Sequence, residues 1–231
     1  MPQSGIHAAF SFQIGQFAKT KNKLLPAIVF GAILPDVDYI AVILGFVYYP
    51  INLSENLFHR TFSHSFFTLI IIYLIFAFIS EWKKDYEIKQ IGKGIVIGIL
   101  SHIVLDTLFS FEGIHLLWPL PLQKFSLWNN LFISEWIYKL IYISEFFFFR
   151  WYAWFLIKLN IAYPNHNSWV IKYLNYWKKT ETLIFIFFIF LSFINYYHFK
   201  ILFILAYIPS ILISLIATYI NFSALEYKLK K

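Results

Sequence analysis

Six stretches of this chain stay apolar for close to the length of a bilayer crossing: Leu24–Tyr49, Ser65–Ser80, Ile91–Phe109, Leu131–Leu156, Thr182–Tyr197 and Ile201–Ile220. That pattern restricts the fold more than any other feature. A hydrocarbon core roughly 30 Å thick takes about 20 helical residues, and inside it a backbone must satisfy its own N–H and C=O groups. The expected fold is therefore an all-α, polytopic transmembrane helical bundle of about 4–6 spans with interfacial loops. Composition agrees, since 60% of the 231 residues are hydrophobic and 13% are charged, against about 25% charged in a soluble domain. A soluble globule and a disordered tail are both excluded. The first span carries Pro35, Asp36 and Asp38 and should kink there. The fourth carries Glu135, Lys139 and Glu145, so re-entrant or interfacial placements stay open for both.

The net charge is +7, yet the basic residues do not stripe one face as a nucleic-acid footprint would, and no nucleic-acid partner is expected. They form clusters at Lys19, Lys21 and Lys23, at Lys83, Lys84 and Lys89, at Lys172, Lys178 and Lys179, and at Lys228, Lys230 and Lys231. Six crossings put all four clusters on one side, the cytoplasmic one. Both termini then lie in the cytoplasm, and Pro50–His64 and Ser110–Asn130 lie outside. The N-terminus lacks the charged and apolar regions of a removable signal peptide, so none is expected. No repeat or linker divides the chain. Residues 1–123 hold nearly all the candidate chemistry, and 124–231 are aromatic-rich span material without an assigned role.

An ionisable side chain at bilayer depth costs at least about 2.5 kcal/mol and marks function by default. His102 and Asp106 are four apart in the third hydrophobic stretch, on one helix face. Gly98 and Gly94 continue that face backwards as a small-residue stripe of the kind that admits a neighbouring helix. A similar stripe, Ala27 and Gly31, leads toward Asp38 in the first span. Asp36 and Asp38 are separated by one residue, and two carboxylates so close call for a cation or hydrogen bonds to offset their repulsion. His59 and His64 flank Arg60 before the second span, where Ser63 or Ser65 is placed to cap the helix. His7 completes the set.

The chain has no cysteine, so a metal must sit on nitrogen and oxygen. His7, Asp36, Asp38, His59, His64, His102 and Asp106 are the candidate ligands for one or two divalent ions, zinc foremost, with manganese or iron also suited. Each also has a plainer reading: an incidental interfacial His7, a loop holding His59 and His64, a Pro-Asp turn, a self-satisfied His102/Asp106 pair.

Together these motifs resemble the YdjM family of bacterial inner-membrane proteins, usually described as membrane-bound metal-dependent hydrolases predicted from sequence. The resemblance runs over Gly5-Ile6-His7, Ile33-Leu34-Pro35-Asp36-Val37-Asp38, His59-Arg60-Thr61-Phe62-Ser63-His64-Ser65, Gly98 to Asp106, and Gly113-Ile114-His115-Leu116-Leu117-Trp118-Pro119. The family often has Gly where Thr61 stands and Thr where Ser63 stands. It implies an inner-membrane location and hydrolytic activity. Its His-x-x-x-Asp element is similar to that of zinc-dependent phospholipase C, an analogy that favours phosphoesters.

The function expected is metal-assisted hydrolysis of a phosphoester or lipid-linked substrate at the membrane interface. Asp36 or Asp38 would accept the proton of water, Arg60 would pair with phosphate, and Trp118 would anchor the interface. The alternative is a metal or proton carrier, or a scaffold, built on the same residues. Nothing in the sequence sets the oligomeric state.

Overall fold

A computed structural model describes residues 4–17, 23–109, 111, 113–128, 133–165 and 167–227. The expected clusters at Lys19 and Lys21 and at Lys228, Lys230 and Lys231 lie outside the described residues, as does the start of the fourth stretch at Leu131. The helices are α1 Ser4–Phe17, α2 Leu24–Ile33, α3 Tyr39–Phe46, α4 Ile51–Phe58, α5 Phe66–Lys83, α6 Tyr86–Phe109, α7 Glu135–Ala162, α8 Ser168–Leu191, α9 Tyr196–Ile220 and α10 Phe222–Tyr227. Short 3-10 turns occupy Leu34–Asp38 and Phe62–His64. Among the described residues there is no strand, only an isolated antiparallel bridge between Ile114 and Phe125.

The kink expected in the first span is the Leu34–Asp38 turn. Pro35 has no N–H to give to Gly31, so α2 stops at Ile33 and the chain resumes as α3 after the two aspartates. The span as a whole runs Leu24–Phe46. Its small-residue stripe faces that of α6: a Cβ on Gly31 would collide with the Ile95 carbonyl, and one on Gly98 with the backbone of Ile28 and Ala32. This close approach brings the acidic turn against His102. Ser65, not Ser63, caps α5, accepting the Phe67 N–H at 3.2 Å.

Five helices among the described residues are long and apolar enough to cross a membrane: Leu24–Phe46, Phe66–Lys83, Tyr86–Phe109, Glu135–Ala162 and Tyr196–Ile220. The expected span Thr182–Tyr197 is not a single element. Its first ten residues end α8, and Tyr196 already belongs to α9. α8 nevertheless runs the length of α7 in the opposite direction. Lys139 Nζ, near the start of α7, donates to the Ser192 carbonyl at 3.0 Å, Phe146 stacks on Phe188 at 5.0 Å, and Tyr152 meets Trp177 edge-on at 6.3 Å. α9 then returns, with Tyr152 and Thr218 hydroxyls 2.8 Å apart, and Phe222 packs near Ala27 at the opening end of α2.

α1 runs back along α2. Ser4 bonds to Asp36 while the face of Gly15 abuts Leu25, so this helix reaches from one end of the bundle to the depth of the acidic turn. At the other end, a buried ion pair between Glu55 and Lys200 ties α4 to α9. Lys200 also donates to Asn52 Oδ1 at 3.0 Å, and Tyr39 donates to Glu55 at 3.2 Å.

Candidate metal centre

Five inward-facing residues meet from four segments: His7 from α1, Asp36 from the kink, His64 from the turn before α5, and His102 and Asp106 from α6. Donor atoms of His7, His102 and Asp106 lie within 4.8 Å of one another, as do those of Asp36, His64 and His102. His102 belongs to both groups. All three imidazoles are completely buried, and both carboxylates nearly so.

Hydrogen-bond partners assign the protons. The Ala32 carbonyl, in the last turn of α2 where helical carbonyls lack an intrahelical donor, lies 2.7 Å from His102 Nδ1. A carbonyl only accepts, so His102 carries its proton on Nδ1 and turns an Nε2 lone pair inward. Ser63 Oγ donates to Asp38 Oδ2 at 2.6 Å and therefore accepts from His64 Nδ1 at 2.8 Å. That leaves the His64 lone pair on Nε2 as well. The two Nε2 atoms stand 3.1 Å apart, and in neutral rings no proton lies between them. Either a second proton on one ring or a shared cation relieves that opposition.

The remaining donors surround the same space. Asp36 Oδ1 is 3.5 Å from His102 Nε2, Asp106 Oδ2 is 3.6 Å from His64 Nε2, and Asp106 Oδ1 is 3.3 Å from His7 Nε2. The His7 ring stacks on His102 at 3.7 Å, and neither of its nitrogens makes a hydrogen bond. Asp36, Asp38 and Asp106 outnumber the Arg60 guanidinium that reaches Asp106, so negative charge gathers in the interior, a costly arrangement. A cation offsets that charge, and the sulfur-free donors suit zinc, manganese or iron.

Asp38 and His59 stand behind this set. Asp38 Oδ1 faces His59 Nδ1 at 2.8 Å. Asp38 Oδ2 accepts from Ser63 and from the Arg60 backbone N–H at 3.0 Å, and lies 3.5 Å from His64 Nδ1. Both of its oxygens are thus spent on orienting the His64 loop. His59 Nε2 is buried without a hydrogen bond but belongs to neither converging group. Outside the spans, burial and Asp38 oppose each other at His59, where the carboxylate prevails and the pKa is raised. At His64 burial prevails over Asp38 and the pKa is lowered, in keeping with a neutral ring.

Arg60 is buried and donates from Nε to Asp106 Oδ2 at 3.0 Å, so its guanidinium addresses a carboxylate of the centre. Its φ of 57° is left-handed, a conformation disfavoured for any side chain with a Cβ and common at functional sites. The loop above is tied to it through His115, whose N–H donates to the Arg60 carbonyl at 3.0 Å. Trp118 is half-exposed beside Phe62, their rings 6.3 Å apart.

Three contributors were not expected. Ser4 Oγ donates to Asp36 Oδ2 at 2.6 Å, Tyr207 OH donates to the same oxygen at 3.2 Å, and Glu145 accepts the Ser4 N–H at 3.3 Å. Ser4 adjoins the Gly5-Ile6-His7 motif, and Glu145 stood out as a charge in a span. Tyr207 gave no signal beyond a hydroxyl in an apolar helix. Two of the three come from the half of the chain with no assigned role.

The model of a family described as YdjM inner membrane protein matches residues 1–219, well past the motifs in the first half. The chain is 33% identical over 91 residues to "Uncharacterized protein YvsG" of Bacillus subtilis (strain 168), a match covering 38% of this chain and 52% of that protein. The matched region thus spans about half the length of that relative. No solved structure matches the chain.

Proposed function

The chain belongs to the YdjM inner membrane protein family, and on that footing we propose that it is a metal-dependent hydrolase acting on a phosphoester or lipid-linked substrate at the membrane interface. The observation that carries this reading is the pair of imidazole lone pairs, His64 Nε2 and His102 Nε2, facing each other at 3.1 Å with both Nδ1 atoms committed as donors. His7, His64, His102 and Asp106 would hold the ion, Asp36 would stand beside it with Oδ1 free, and Asp38 and His59 would brace them. When bound, a divalent ion supplies Lewis acidity and lowers the pKa of water toward about 7.

The chain's own groups do the rest. Asp36 Oδ1 is the oxygen placed to take a proton from attacking water, while Ser4 and Tyr207 hold Oδ2 and so fix the carboxylate plane. Arg60 keeps Asp106 in register and sets positive charge beside the carboxylates that a phosphoryl group would approach. Hydrolysis at phosphorus then forms a bond to the water oxygen and breaks the bond to the leaving oxygen, which takes up the proton held by Asp36 and departs as an alcohol. In the same reading the Leu24 end of the first span and the C-terminus are cytoplasmic, which requires α8 to serve as a sixth crossing, while α1 carries Ser4 back to the depth of Asp36.

Elemental analysis of purified wild type beside Asp106→Ala tests the proposal, together with phosphate or alcohol release from a panel of phosphoesters. The expected result is about one to two divalent ions in wild type, lost in the variant. A metal-free protein that cannot be reconstituted would favour the carrier or scaffold.

A further inference from the structure

A groove of about 410 Å³ opens sideways between the first span and α5, walled by Leu34, Val37 and Ala41, by Thr68 and Ile72, and by Ile99 of α6. Its volume lies within the range of small-molecule sites, about 300–1,000 Å³. Asp38 and Ser63 also line it, and these two hold the proton-bearing side of His64. The segments that form its walls are the same ones that carry the centre: the kink bears Asp36, the turn before α5 bears His64, and α6 bears His102 one turn after Ile99.

The chemistry of the occupant follows from its surroundings. Apart from Asp38, Ser63 and Thr68 the groove is apolar and set within two spans, where a polar occupant would leave its own groups unpaired. Its rim is open, since Ile40, Leu44 and Phe62 are 37%, 64% and 42% exposed, and in a membrane that exposure faces lipid. A hydrocarbon chain leaving the bilayer for these walls gains little hydrophobic energy, because lipid tails are equally apolar. The groove's contribution is to fix depth and direction.

We infer that the groove seats one hydrocarbon chain of an amphiphilic substrate, which enters sideways from the bilayer with its head end toward Asp38 and Ser63, the residues that hold His64. The inference rests on the hydrolase reading for the word substrate, and on the groove alone for the binding of the chain.

The test uses phosphatidic acid bearing a photoactivatable diazirine at mid-chain, in mixed micelles with the full-length protein. Wild type should label on residues 34–44 and 62–72 in preference to Leu74 on the outward face of α5. Ala41→Trp, or Ile72→Trp from the opposite wall should the first not fold, should lower the ratio of groove to Leu74 labelling roughly threefold or more, a change of the size a packing preference gives. Equal labelling of the groove and Leu74, or a ratio that neither tryptophan changes, overturns the inference. Metal content and cleavage of p-nitrophenyl phosphate, which has no tail, are measured on the same samples. Cleavage without groove labelling overturns the groove and leaves the hydrolase reading standing. Groove labelling in a protein that neither holds metal nor cleaves supports the groove and removes the hydrolase.

Discussion

The backbone N–H of Arg60 donates to Asp38 Oδ2 at 3.0 Å from a left-handed φ of 57°, while the side chain of the same residue reaches Asp106 Oδ2 at 3.0 Å. One loop residue thus joins the kinked first span to α6, and its strained backbone is what lets both bonds form. Arg60→Gly would relieve the strain and keep the backbone bond but take from the buried Asp106 carboxylate its guanidinium partner. Breaking such a pair costs about 3–5 kcal/mol, more than the strain returned. Thermal unfolding in detergent should therefore show Arg60→Gly destabilised, and a variant as stable as wild type would contradict the pairing.

Asp38 acts through His64. Asp38→Asn removes the charge that holds Ser63 and His64 without removing any of the five converging donors, so metal affinity should fall about 10–100-fold, as for other supporting residues. His102→Ala removes a donor shared by both groups and should abolish stoichiometric metal. Competition with a chelator of known affinity ranks the two; equal losses would return Asp38 to the ligands.

His7 and His59 separate the same roles differently. His7→Ala should release the ion because its ring faces Asp106 and His102, whereas His59→Ala should retain it in weakened form because Asp38 stands between. Elemental analysis of the two purified variants decides, and retention by His7→Ala would remove α1 from the centre.

Gly98→Leu should separate α2 from α6, since its side chain would press on the backbone of Ile28 and Ala32. Overpacking of this kind costs about 1–3 kcal/mol. The same shift should pull the Ala32 carbonyl from His102 Nδ1, so melting temperature and metal content should fall together. A loss of stability with metal fully retained would uncouple the helix contact from the centre.

The chain has no cysteine, so single cysteines report topology without background. Lys84→Cys and Ser223→Cys should be labelled from the cytoplasm, and Gln123→Cys and Phe193→Cys from outside. Cytoplasmic labelling of Phe193→Cys would show that α8 does not cross, and with it the shared side of the Leu24 end and the C-terminus would fail.

Hydropathy alone locates most of the helices, because a backbone in hydrocarbon must close its hydrogen bonds within each segment. The kink at Pro35 and the shared face of Gly98, His102 and Asp106 are equally local, set by a missing N–H and by helical periodicity. The seven ionisable residues were therefore legible as a group. Their division into converging donors and supports was not. Asp38 and His59 differ from Asp36 and His64 only in the direction their side chains take, and that depends on the Arg60 backbone, on Ser63 and on the approach of α6. Tyr207 meets Ser4 at 2.8 Å across 203 positions, and no periodicity carries such a contact. Tertiary packing decided these matters because a buried charge settles wherever distant segments can supply its partners.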